Sequence, residues 1–178
     1  MQHTITILVE NKPGVLARVA SLFSRRGYNI ASLAVSITND PTVSRITLVA
    51  EGDEFELEQI VKQTTKLVDV VRVADYTGTP ILDRELALIK VKADPGDRSA
   101  IIQIAQVFEG SIVDFSGEGT FTIEVTGRTD KIDAIEELLA PYGISETVRT
   151  GRIAMARGAT TAYGVGHSST HIFEESAE

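Results

Sequence analysis

Two asparagines and one proline–glycine pair are the residues of this sequence best suited to chemistry. Asn11 and Gly14 lie in Glu10-Asn11-Lys12-Pro13-Gly14-Val15-Leu16, between an alternating apolar run, Thr4 to Val9, and a helix-period run from Val15 to Ser24. Proline followed by glycine between those two patterns marks a turn that opens a helix. The first backbone N–H groups of a helix have no partner inside it. They carry the positive end of its dipole, about half an elementary charge. Such a turn holds a carboxylate without any basic side chain. Asn11 adds an amide donor and an acceptor beside it. A second asparagine follows the helix, in Gly27-Tyr28-Asn29-Ile30. The same residues also suit plain turns, because Asn tolerates turn backbone. Geometry favours the ligand reading: both asparagines are expected at corresponding ends of adjacent antiparallel elements, near the open helix end.

Catalysis needs a convergent set of groups, and the sequence shows none. Of the three histidines, His3 starts a strand, while His167 and His171 lie in a Gly- and Ser-rich tail where their spacing does not fall on a helix. No metal site is expected from them. No nucleophile elbow, P-loop or dinucleotide fingerprint occurs. Acidic pairs such as Glu136-Glu137 fall on solvated helix faces.

The formal charge of −8 and pI of about 4.9 argue against nucleic acid or an anionic membrane as partner. The absence of cysteine excludes disulfides, thiolate catalysis and Cys-based zinc sites. No apolar run approaches the roughly 20 residues of a membrane span, and the N-terminus has no signal-peptide pattern. A soluble cytoplasmic protein is expected.

The elements that position the asparagines follow from periodicity. Ile5, Ile7 and Val9 share one face of a first strand. Val15, Val19, Leu22 and Phe23 recur at helical spacing until Gly27. Strands at about Asn29–Thr38 and Val43–Ala50 flank the turn Asn39-Asp40-Pro41. A helix at Glu54–Lys66 and a strand at Val68–Asp75 complete β-α-β-β-α-β. The order then repeats: strand Leu86–Val91, a helix opened by Pro95-Gly96, strand Ile112–Phe115, a hairpin at Gly117-Glu118-Gly119, the alternation Phe121, Ile123, Val125, a helix with Thr129 as N-cap, and a last strand from Ile144 that Arg149–Gly158 extends. The expected class is α+β, with two tandem ferredoxin-like βαββαβ domains at 1–76 and 85–158, a linker at 77–84 and a mobile tail at 159–178. RNA-recognition modules share this order but stack bases on strand aromatics, and Val43–Val49 has none. The small residues Ser32, Ala34 and Ser36 lie on the face of the first sheet that helices leave bare, which predicts a partner subunit or close-packed neighbour there.

Asn11-Lys12-Pro13-Gly14-Val15-Leu16 followed by Gly27-Tyr28-Asn29-Ile30 resembles the amino-acid-binding turns of ACT domains. Further on, Asp83 to Val91, Glu124-Val125-Thr126-Gly127, Pro141-Tyr142-Gly143-Ile144 and Arg149 to Gly158 resemble the regulatory small subunits of acetohydroxyacid synthase (acetolactate synthase). The resemblance covers about residues 1–158. It implies a non-catalytic subunit that binds a catalytic large subunit, raises its activity and confers feedback inhibition by valine in branched-chain amino-acid synthesis. It implies no cofactor in this chain, with thiamine diphosphate, magnesium and FAD in the partner. It also implies a homodimer through the ACT domain, with valine at the seam: Asn11, Gly14, Val15 and Leu16 from one subunit, Asn29 and Ile30 from the other. A free-standing amino-acid sensor without an enzyme partner is the alternative, and a small ferredoxin-like enzyme a more distant one.

Overall fold

The computed structural model describes residues 2–117, 119–162 and 167–168. The chain divides into two compact units, Met1–Leu82 together with Ala154–Glu178, and Asp83–Ile153. In chain order the elements are β1 Gln2–Glu10, α1 Val15–Arg25, β2 Asn29–Ile37, β3 Val43–Glu51, α2 Glu54–Thr64, β4 Val70–Asp75, β5 Ile81–Lys92, α3 Arg98–Val107, β6 Ser111–Ser116, β7 Thr120–Gly127, α4 Thr129–Leu139, β8 Ile144–Arg149, β9 Ile153–Ala156 and β10 His167–Ser168. The expected α+β class holds, with two antiparallel sheets each built on βαββαβ order. The strand orders are β10-β4-β1-β3-β2 and β6-β7-β5-β8, with β9 also pairing β5.

Each sheet buries one face under two helices. In the first unit Ile5, Ile7, Ile46 and Leu48 meet Val15, Val19 and Phe23 of α1 and Ile60 of α2. A buried side chain of this size contributes about 1.5–3 kcal/mol, so this layer carries the unit. Helix α1 stops in a Schellman arrangement: Tyr28 N–H donates to the Phe23 carbonyl at 3.1 Å and Gly27 N–H to that of Ser24 at 3.0 Å. Gly27 takes the left-handed backbone this requires, φ +74°, and the Phe23 and Tyr28 rings meet edge to face. Helix α2 starts on a capping box between Asp53 and Glu56. In the second unit Ala87, Ile89, Ile123 and Val125 meet Ile101, Ile132 and Ile135.

Three expectations change. The run Ile81–Arg84, read as linker, is the start of β5, because β9 pairs with β5. The chain from Ala154 onward belongs with the first unit rather than with a second domain ending at 158. Its described part packs: Ala154, Ala156 and Ala162 are buried with Leu8, Ala74 and Tyr76, and His167–Ser168 pairs with Val73 and Arg72 of β4; the rest of the expected mobile tail, 163–166 and 169–178, lies outside the described residues. Ser36 on β2 stays exposed, while the packed part covers the helix-free face at Leu8, Ala74 and Tyr76. Arg45 anchors it, donating to the Ala154 carbonyl, the Tyr76 hydroxyl and Thr6 Oγ1. Lastly, Arg128 and not Thr129 is the N-cap of α4, without a side-chain cap. The Thr129 hydroxyl instead accepts from Arg152 Nη2 at 3.0 Å.

Candidate functional site

β1 ends at Glu10, and the backbone turns through Lys12, whose N–H donates to the Glu10 carbonyl at 2.9 Å. Gly14 then sits at φ +84°, ψ −9° as the N-cap of α1. That backbone favours glycine. A Cβ added there would meet nothing within 4 Å in this chain, so conformation and not packing requires the glycine. No side chain caps the helix start, and no acidic residue stands in its first turn. The N–H groups of Leu16 and Ala17 come too early in the helix for an intrahelical carbonyl. The nearby charges offset one another. Lys12 pairs with Glu10 at 2.7 Å and Arg18 with Asp69 at 3.0 Å. The hydrogen bond to Glu10 and its charge raise the Lys12 pKa above its ordinary value. An anion at this turn would therefore meet backbone N–H groups rather than net positive charge.

Asn11 is gripped by the β2–β3 loop. Its N–H donates to the Thr42 carbonyl at 2.7 Å, and its Nδ2 to the Pro41 carbonyl at 2.9 Å. The loop is itself stapled: Thr42 Oγ1 and N–H donate to Asp40 Oδ1 at 2.7 and 2.8 Å. Those two bonds, the hydroxyl's first, hold the Asp40 carboxyl below its usual range. Sequence reasoning identified Asn11 but not the Pro41 and Thr42 carbonyls that orient it. The Asn39-Asp40-Pro41 turn was the available signal.

Asn29 lies elsewhere. It begins β2 opposite Glu51, the last residue of β3, whereas Glu10 lies opposite Val43, the first. β1 and β2 both run antiparallel to β3, so they are parallel to each other. The start of β2 and the end of β1 are at opposite ends of the sheet, roughly 26 Å apart over eight residues of strand. Within one chain the two asparagines do not converge, contrary to the expectation that they lie at corresponding ends near the open helix. Element order alone carries this fact. Of the apolar candidates, Val15 turns its side chain into the core and offers only backbone, Leu16 is exposed, and Ile30 is half-buried against the first core.

A row of exposed apolar side chains runs along β2. Leu33, Val35 and Ile37 are 38%, 45% and 60% exposed on the free edge of the sheet. Leu33 and Val35 lie opposite Leu48 and Ile46, so they extend the helix-side core beyond its cover. No group of three His, Asp or Glu side chains able to hold a metal occurs among the described residues; His171 lies outside them. No helix of the described residues is long and apolar enough to cross a membrane.

Two family models match the chain: one described as the small subunit of acetolactate synthase, over residues 84–158, and one as an AHAS small subunit-like ACT domain, over residues 5–72. The acetolactate synthase small subunit of Mycobacterium leprae is 47% identical over 156 residues, 88% of this chain and 92% of that protein. That of Aquifex aeolicus is 47% identical over 157 residues, 88% and 81% of the two chains. The crystal structure of the acetolactate synthase small subunit from Thermotoga maritima superposes with a TM-score of 0.82 at 40% identity, covering 90% of this chain and 99% of that one.

Proposed function

Because the chain belongs to the family of acetolactate synthase small subunits, we propose that it is the non-catalytic, valine-responsive regulator of an acetolactate synthase catalytic subunit. Thiamine diphosphate, magnesium and FAD are then the catalytic partner's cofactors, and the two proteins work together in the cytoplasm. The observation that carries the effector site is the separation of its halves. Gly14 and Asn11 stand at one end of the sheet and Asn29 at the other, while the apolar edge strand β2 lies bare between. A twofold axis pairing β2 antiparallel with β2 of a second copy reverses the ends. It covers Leu33, Val35 and Ile37, and it brings Asn29 and Ile30 of one copy to the Asn11–Leu16 turn of the other. A closed twofold contact is the commonest oligomeric solution.

At that seam the helix-start N–H groups of α1 receive the valine carboxylate. Asparagine oxygens accept from its ammonium, and Leu16 with Ile30 meets the isopropyl group. Valine then acts by binding one arrangement of the two domains better than another, the only way an effector shifts an equilibrium.

The test is reconstitution. The purified chain alone should form no acetolactate from pyruvate with all three cofactors present. Added to its catalytic subunit it should raise the rate and make that rate valine-sensitive. Turnover by the chain alone sinks the non-catalytic reading, and a complex indifferent to valine sinks the effector reading.

A further inference from the structure

We propose that Glu51 is a positioning residue of the amino-acid site, setting the Asn29 amide so that its oxygen faces the ligand ammonium; this rests on the valine reading above. Glu51 stands in the middle of a row of three across the sheet, opposite Gln2 of β1 and opposite Asn29 of β2. Its carboxylate takes one amide on each oxygen. Gln2 Nε2 donates to Oε1 at 3.4 Å and Asn29 Nδ2 to Oε2 at 3.5 Å. An ionised carboxylate only accepts, so the nitrogen of Asn29 must face Glu51 and its oxygen must face away. The orientation of an amide is otherwise ambiguous; here the partner's chemistry fixes it.

Asn11 is set in the same way by a different acceptor. The Pro41 carbonyl takes its Nδ2 at 2.9 Å, which leaves Oδ1 outward. Both candidate asparagines therefore turn their nitrogen to a protein acceptor and present oxygen. A site made of two amide oxygens and a helix start selects a head group with both an ammonium and a carboxylate. A 2-oxo or 2-hydroxy acid of the same side chain supplies no cation for those oxygens. The negative charge of Glu51 behind Asn29 strengthens the same preference.

Glu51→Gln tests this. The new side chain is nearly isosteric but can donate to the Asn29 oxygen as well as accept, so it permits the flipped amide and removes the charge. The measurement is L-valine binding to the full chain by titration calorimetry, for the parent, Glu51→Gln, Asn29→Ala and the double variant. Glu51→Gln should weaken valine by about three- to tenfold, the range of one oriented hydrogen bond. In the Asn29→Ala background the same change should cost less than about twofold, because Glu51 acts through Asn29. Glu51 is exposed, so the unfolding midpoint should stay that of the parent. Parent-like valine binding by Glu51→Gln, with Asn29→Ala weakened, overturns this proposal and leaves the site reading standing. Losses that multiply in the double variant also overturn it. Parent-like binding by Asn29→Ala overturns both.

Discussion

The two units open their first helices with the same proline–glycine pair, and the outcomes are opposite. In the first, Gly14 takes φ +84° and leaves a helix start with no side-chain cap and no acid in its first turn. In the second, Asp94-Pro95-Gly96-Asp97 places two carboxylates at the start of α3. Gly96 has no left-handed backbone, and the Asp94 carbonyl accepts from the N–H groups of Asp97 and Arg98 at 2.8 and 3.2 Å. A ligand carboxylate would meet backbone donors at one turn and like charge at the other. The units differ as much behind their sheets. Leu8 on the helix-free face of the first is 2% exposed, roofed by Ala154, Ala156 and Ala162. Leu88, on the helix-free face of β5, is 36% exposed. One topology has been used once with its helix-free face covered and once with that face open.

The sharpest way to break this contrast is to give the first turn the charge of the second. Gly14→Asp should abolish the response to valine while the complex with the catalytic subunit still forms by size-exclusion chromatography. The carboxylate enters the space assigned to the ligand's own, in a poorly solvated seam where repulsion exceeds its value in water. The fold should tolerate the change. Nothing lies within 4 Å of the new Cβ, and an acid at a helix start contributes about 0.3–1 kcal/mol against left-handed strain of roughly 1–2 kcal/mol. Gly96→Asp, the matched control, should leave valine inhibition curves unchanged. A shared loss would show that the effect is not local to the first turn.

Next in size is the roof. Leu8→Ala should cost about 2–5 kcal/mol as a buried leucine, read as earlier urea unfolding of the first unit by hydrogen exchange. Leu88→Ala should stay within about 1 kcal/mol, as befits an exposed site. Equal losses would mean that the second face is covered in solution.

The alternation of Ile5, Ile7 and Val9 was enough to identify β1 and its helix-side face, because both partners of that pattern are local. Leu8 was invisible as core for the converse reason: its cover arrives from the far end of the sequence. The same distance explains why Ile81–Arg84 reads as linker, since a strand's identity there depends on β9. Asn11 and Gly14 were legible as a turn, but where Asn29 stands depends on counting strand directions rather than on its neighbours. Thr129 has the right side chain for a cap, but its hydroxyl is taken by Arg152, a partner that no local pattern reveals.

Charge separates the units on a smaller scale. In the second, Arg149 joins buried Glu85 at 2.6 Å, Asp133 at 2.7 Å and Glu136 at 3.3 Å. Burial opposes the charge of Arg149, but hydrogen bonds to Glu85 and Asp133 outweigh it and raise its pKa above the ordinary value. Glu85→Gln should cost about 1–3 kcal/mol, as a hydrogen bond to a charged group does. Asp69→Asn, which breaks the single pair with the more than half-exposed Arg18, should cost less, about 1 kcal/mol. Calorimetric unfolding of both variants makes the comparison.

The smallest effect belongs to the far half of the effector site. Asn29→Ala should weaken valine by the net value of one hydrogen bond, about 0.5–1.5 kcal/mol, against complete loss for Gly14→Asp. Inhibition curves of the reconstituted enzyme measure both. Equal severity would place the carboxylate and not the ammonium at Asn29.

The returning strand also sets an order of assembly. Arg45 and the Ala154 carbonyl that anchors it are 109 residues apart in sequence, and Leu8 is bare until Ala154 and Ala156 arrive. On the ribosome, therefore, the domain translated first is not the domain finished first. Asp83–Ile153 is one uninterrupted stretch and can close as soon as it emerges. The first unit must wait, its helix-side layer formed and Leu8 uncovered, for residues made after the second is complete. Contacts so distant in sequence form slowly, and a released chain truncated after Ile153 should hold a folded second unit beside a first one whose Leu8 face is open to proteases.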